Sequence, residues 1–277
     1  MVEKLDMRKL IMTVIMILIG IAFLMPFLWM ISASLKVEKD VLTFPIQWIP
    51  ETWNAVENYK EVWTGSMPFL LLYWNSIKVT VLTTLVSCTI SCLAAYGFAK
   101  INFKGRDFIF LIVLATFMIP PQTLLVTQFL LYRWLGLYDT HTGLILLNSF
   151  SVFGTFMLRQ FYLGISNEII ESARMDGAGH FRIFTSIALP LVRPAIATYA
   201  ILRFIWTWND FQNPLIFLRS KELYTIQLGV QSFSDQHGSV YSLMMAASVS
   251  AILPLLIIFI IGQKNVIEGI QLGGVKG

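Results

Sequence analysis

The sequence predicts an all-α polytopic membrane protein with six transmembrane helices, and three observations carry that expectation. Hydrophobic residues fill 56% of the 277 positions and charged residues only 13%, with a mean hydropathy of +0.70, whereas a soluble domain carries roughly 25% charged residues. Six stretches approach the roughly twenty apolar residues that a spanning helix needs. The basic residues form short clusters beside those stretches, so the net charge of +4 is a topology signal and gives no nucleic-acid patch.

The predicted spans cover residues 10–34, 76–99, 108–131, 142–163, 195–218 and 241–262. The first follows Lys4, Arg8 and Lys9, as a signal peptide would. Its uncharged run continues to Leu35, however, too long for a secretory apolar region, so it is read as a retained anchor. With the N-terminus inside, twelve Lys and Arg fall on the inner side, six on the outer side, and Lys78 and Arg203 within spans. That asymmetry places both termini in the cytoplasm of a multi-pass inner or cytoplasmic membrane protein.

Residues 1–70 then form an anchor with an extracytoplasmic segment, 71–264 a core transmembrane domain, and 265–277 a cytoplasmic tail. The outer connection at 35–75 carries Trp48, Trp53, Trp63 and Trp74, read either as an interfacial belt with local packing or as contacts for an extracytoplasmic partner. The second outer loop, 219–240, includes Gln231, Asp235, Gln236 and His237 and suits either a docked partner or plain solvation. Pro26, Pro120-Pro121 and Pro254 fall inside spans, where freed backbone groups must face protein or water, and each is expected to kink its helix. Cys88 and Cys92 are the only cysteines and read as small membrane-helix residues, so neither a disulfide framework nor a metal site follows.

Two polar islands interrupt this apolar chain. The first, 166–194, opens on the N-cap candidates Ser166 and Asn167, with Glu168 and Glu171 early in the predicted helix. Gly177 and Gly179 stop that helix. Phe181, Phe184, Ile187 and Leu191 then recur at helical spacing until Pro190 and Pro194 break the backbone. Helix, glycine turn and helix make a compact hairpin suited to being gripped by a soluble partner. The second island lies in the fifth span. There Trp206, Asn209, Asp210 and Asn213 recur at i, i+3, i+4 and i+7, which predicts one helix face. Aromatic rings beside amides and a carboxylate suit a neutral polyhydroxylated ligand such as a sugar. The same side chains would equally serve to hold neighbouring helices together.

Both islands carry a family resemblance. Glu171-Ser172-Ala173, Asp176-Gly177-Ala178 and Ile187-Ala188-Leu189-Pro190, with Pro194 behind, resemble the EAA loop of binding-protein-dependent ABC importer permeases, with Ser172 where the family has Ala. The run Trp208-Asn209-Asp210-Phe211 with Pro214-Leu215 resembles the carbohydrate branch. The terminal Gly273-Gly274-Val275-Lys276-Gly277 is similar to the tail of the maltose-type second permease subunit. The resemblance implies a type I ABC importer permease fold and a coupling loop at 164–194. Glu171 would be a salt-bridge partner, Ala173 a close-packing position and Gly177 the turn, with Asp176 beside it. It also implies a second homologous permease, two ABC ATPase subunits and an extracytoplasmic solute-binding protein as partners, along with membrane lipid and no nucleic acid.

No cofactor is expected. The chain has no G-x-x-x-x-G-K-[ST] run, so ATP hydrolysis would belong to another subunit, and no catalytic residue is assigned. His141, His180 and His237 are dispersed, which weighs against a membrane enzyme. The remaining alternative is an ion-gradient-driven secondary carrier, with Asp210 and Arg203 as ion or proton sites; otherwise Arg203 would snorkel or pair with a partner helix.

Overall fold

The structure is a computed structural model that describes residues 7–65, 69–235 and 238–274. Lys4, Gln236, His237, Val275, Lys276 and Gly277, invoked above, lie outside the described residues. In chain order the helices are α1 (Met7–Ser34), α2 (Ala55–Thr64), α3 (Phe69–Lys100), α4 (Arg106–Thr116), α5 (Pro121–Trp134), α6 (His141–Leu147), α7 (Val152–Leu163) and α8 (Asn167–Met175). There follow α9 (His180–Ile183), a π-helical turn at Phe184–Ala188, α10 (Leu189–Leu191), α11 (Arg193–Trp208), α12 (Gln212–Phe217), α13 (Ile226–Gln231) and α14 (Tyr241–Gly274). The pairing of Ser234–Asp235 with Gly238–Ser239 is the only strand pairing among the described residues, one isolated bridge aside.

Three helices are long and apolar enough to cross a membrane unbroken: α1, α3 and the Tyr241–Lys264 part of α14. Pro26 and Pro254 lie inside α1 and α14 without ending either. The remaining spans are broken. Helices α4 and α5 meet at 95°, α6 and α7 at 49°, and His180–Leu191 meets α11 at 78°, so as many as six spans result if each bent pair counts as one.

Each break has a local cause. Pro120 and Pro121 cannot donate backbone hydrogen bonds, which ends the helix before them. The second break was not anticipated. Ser149 turns its hydroxyl back to Ile145 O at 2.6 Å, and Ser151 caps α7 by accepting from Gly154 N at 3.0 Å, so polar side chains replace the helical bonds between Asn148 and Ser151. The third bend, at Val192, falls between Pro190 and Pro194. A further interruption overturns the continuous fifth span: α11 stops at Trp208 and α12 starts at Gln212. Pro214 explains it, because a proline lacks the N–H for the carbonyl four residues back, that of Asp210, and its ring crowds that carbonyl.

Two compact units emerge, one of residues up to Leu70 with Gly229–Leu253, the other of Leu71–Leu228 with the helix from Pro254 onward. In the first, the segment after α1 is tightly folded. Ser32 Oγ donates to Trp48 O at 2.6 Å, the ammonium of buried Lys36 donates to Gln47 O, and Asn58 Nδ2 donates to Ser34 O and Lys36 O at 2.9 and 2.8 Å. The Glu38 carboxylate accepts from the Tyr241 and Ser242 amides at 2.9 and 2.7 Å, capping the otherwise unsatisfied start of α14.

In the second unit, α3, α7, α8, α9 and α11 share one apolar core that includes Tyr96, Leu158, Tyr162, Ile170, Ala173, Ile183 and Tyr199. Helices α7 and α11 approach closely at Gly154, where an added Cβ would lie 2.2 Å from the Tyr199 ring. The Tyr199 hydroxyl then pairs with Ser87 Oγ on α3 at 2.8 Å, tying three helices at one fully buried point.

Candidate functional site

The hairpin at 166–194 forms as its residues dictate. Ser166 caps α8 by accepting from Glu168 N at 3.2 Å. At the other end Gly177 takes φ +81, while Gly177 N bonds Arg174 O and Ala178 N bonds Ala173 O, both at 3.0 Å. This is the paired closure that a left-handed glycine permits at a helix C-terminus. Ile170 and Ala173 are buried in the core, whereas Glu171 and Asp176 are exposed. The four positions of this island thus divide into a packing residue, a turn and two outward carboxylates.

The second half of the hairpin differs from the periodicity expected. The π-helical turn at Phe184–Ala188, just before Pro190, shifts the buried face: Ile183, Phe184 and Ala188 are buried, while Phe181 and Leu191 are 74% and 55% exposed. A continuous α-helix would bury 181, 184 and 191 together; the π turn accounts for Leu191, which follows it, and not for Phe181, which precedes it.

The second island is not one helix face. Asn209 is the C-terminal cap of α11, Asp210 stands in the break and Asn213 belongs to α12. The break still draws two of these residues together. Asp210 accepts from Asn213 N at 3.1 Å and from Asn213 Nδ2 at 2.7 Å. Asn209 Nδ2 instead donates back to Ile205 O at 2.9 Å, and Trp206, 45% exposed, packs edge-on against Phe153 at 5.3 Å.

The structure adds two residues that were not assigned to this site. Asn148, in the break between α6 and α7, donates to Asp210 Oδ2 at 3.4 Å, and Arg203 donates to the Asn148 carbonyl. Arg203 thus serves the broken backbone of its own subunit, while its buried Nε has no hydrogen-bond partner among the described residues. Gln227 on α13 likewise donates to Trp208 O at 3.2 Å, satisfying a carbonyl freed at the end of α11. The polar run Asn148-Ser149 with Ser151 was the sequence signal for this second break.

A cavity of about 550 Å³ opens here. It is lined by Thr116, Phe117, Ile119 and Pro121 at the first break, Ser151 to Phe153 at the second, and Arg203 and Trp206 on α11. Helix breaks from two span pairs and one stretch of α11 thus border one space of aromatic rings and polar groups, the arrangement that irregular backbone at membrane depth requires. Among the described residues no group of His, Cys, Asp and Glu is placed to hold a metal ion.

Comparison with known proteins bears on the whole length. The model of the family described as binding-protein-dependent transport system inner membrane component matches residues 87–270. The arabinooligosaccharides transport system permease protein AraQ of Bacillus subtilis is 35% identical over 267 residues, covering 96% of this chain and 95% of that protein. The lactose transport system permease protein LacG of Rhizobium radiobacter is 28% identical, covering 91% and 90%. A chain from the crystal structure of a bacterial ABC transporter involved in the import of the acidic polysaccharide alginate superposes with a TM-score of 0.82 at 24% identity, covering 95% of this chain and 98% of that one. At that identity the likeness establishes the fold, that of an ABC importer permease.

Proposed function

Because the chain belongs to the family of binding-protein-dependent transport system inner membrane components, as a membrane-embedded transport permease, we propose that it forms half of the transmembrane pathway for a sugar or related polyol. The observation that carries the cargo class is the end-to-end similarity to permeases named for oligosaccharide transport. A second, homologous permease would supply the other half. Two ATPase subunits would dock from the cytoplasm, a solute-binding protein from outside, and both termini would be cytoplasmic.

In this reading α8 is the coupling element. Glu171 offers an exposed carboxylate to the ATPase, Ala173 lets α8 lie close to the core, and Asp176 and Gly177 shape the turn. Motion of α8 would pass through the shared core and the bend before α11 into one uninterrupted helix that ends at the polar break. Trp206, Asn209, Asp210 and Asn213 would there meet the cargo, the ring covering an apolar sugar face and the amides and carboxylate its hydroxyls. A two-state element biased from both ends is what coupling demands.

Uptake by the complex, purified through a tag on this chain and reconstituted with its binding protein, tests the cargo class. ATP-dependent accumulation of a labelled arabino- or galacto-oligosaccharide is expected. Uptake driven by an ion gradient without ATP, or no uptake of any sugar, would overturn it.

A further inference from the structure

Helix α8 has a polar face of which the coupling reading uses only Glu171. Asn167, Glu171 and Arg174, at i, i+4 and i+7, line a cavity of about 330 Å³ together with Lys100 at the end of α3 and Arg106 at the start of α4. Three cations face one carboxylate there, and two of them, Lys100 and Arg174, are incompletely satisfied. Lys100 is only 8% exposed, and its ammonium donates to Ile165 O at 2.6 Å and Asn167 Oδ1 at 2.8 Å, both neutral oxygens. One of its three N–H groups remains. Arg174 gives a single bond, to Lys100 O at 3.4 Å, from a guanidinium with five N–H groups.

Among the described residues, the ion pairs of Arg106 and Arg159 both use Asp107, and neither Lys100, Arg174 nor Glu171 joins one. A buried cation held only by neutral oxygens is costly, so a counter-charge has a defined place here. The cavity also has a defined depth. It lies where α3 and α7 end and α4 begins, which on the proposed topology would be near the cytoplasmic lipid headgroups.

We infer that this cavity binds the phosphate group of an anion, either an acidic phospholipid headgroup or free phosphate. Phosphate oxygens can accept from the Lys100 ammonium and the Arg174 fork at once, while Arg106, fixed by Asp107 at 3.0 Å and Asn102 at 3.1 Å, stands beside them. The inference does not rest on which partner receives α8, and Glu171, which borders both regions, stays unchanged in the test.

The assembled complex is purified in mild detergent with this chain as wild type or Arg174→Gln. Retained lipid is measured by native mass spectrometry after exchange into equal phosphatidylglycerol and phosphatidylcholine, and melting temperature is measured in phosphate against chloride at equal ionic strength. Preferential retention of phosphatidylglycerol, weakened about tenfold or more by Arg174→Gln, supports the site with a lipid source. A phosphate-specific rise in melting temperature, absent in the variant, supports it with a soluble source. Equal retention of the two lipids with no phosphate-specific shift in wild type overturns it, and so does loss of the ATPase from the variant without any anion effect, which would make the face a protein contact. The wild-type comparisons decide even where the variant fails to assemble.

Discussion

Asp139 shows how one carboxylate can join two connections. It accepts from Arg219 N at 2.8 Å, Ser220 N at 3.0 Å and Ser220 Oγ at 2.6 Å, with its own backbone at φ 58. The Ser220 hydroxyl, then the Ser220 and Arg219 amides, hold its carboxyl below the usual carboxylate range. The native state therefore favours the ionised form. Its contribution is complete above the unfolded value of about 3.9 and is lost as pH falls through the lower folded value. The gap in melting temperature between wild type and Asp139→Asn should be constant from pH 7 to about 4 and shrink below it; a gap independent of pH would contradict the assignment. Asp210 is the parallel case at the break. Asp210→Ala leaves Asn213 N and Nδ2 without their acceptor and the Asn148 amide with only its long bond to Leu144 O, at a cost on the order of 1–3 kcal/mol in thermal stability. Sugar uptake should fall with it while the chain still inserts. At this scale the sequence showed that Asp210 and Asn213 belong together, but Asn148 and Arg203 reached the cluster only through tertiary folding.

At the scale of elements, the hairpin was legible because capping and turn chemistry are local. Ser166, the early acids and Gly177 act within a few residues of themselves, and the helix, turn and helix follow. Gly177→Val forces a β-branched residue into the left-handed region, at about 1–2 kcal/mol or more. It should leave the complex inserted yet uncouple ATP hydrolysis from uptake, whereas Gly177→Asn, which tolerates that region, should retain coupling. Unchanged coupled uptake in Gly177→Val would remove the turn from the mechanism. The helix breaks were only partly legible. Pro120-Pro121 announced the first, but the periodicity of Trp206, Asn209, Asp210 and Asn213 was read through Pro214, whose effect falls on the Asp210 carbonyl. The close approach of α7 and α11 at Gly154 had no local signal, since it depends on Tyr199, far along the chain. Gly154→Ala must displace that ring or separate the helices, and a cost of about 1–3 kcal/mol should appear as a lower melting temperature.

For the whole molecule, composition and apolar run length identified a polytopic membrane protein, because the cost of exposed backbone in lipid acts on every residue. They could not show that two of the expected spans are bent pairs and that the fifth follows a sharp bend at Val192, nor that the segment after α1 folds onto that helix's end through Lys36 and Asn58. Those features arise from single prolines and polar side chains that window averages suppress. The central claim is that the hairpin couples this permease to an external ATPase. The most direct measurement is recovery of the chain from native membranes in mild detergent, with co-purifying proteins identified by mass spectrometry and ATP-dependent uptake assayed after reconstitution. Recovery of an ATPase and a second, similar permease, with uptake that requires ATP, is the predicted result. Recovery of the chain alone in a preparation that transports without ATP would contradict it.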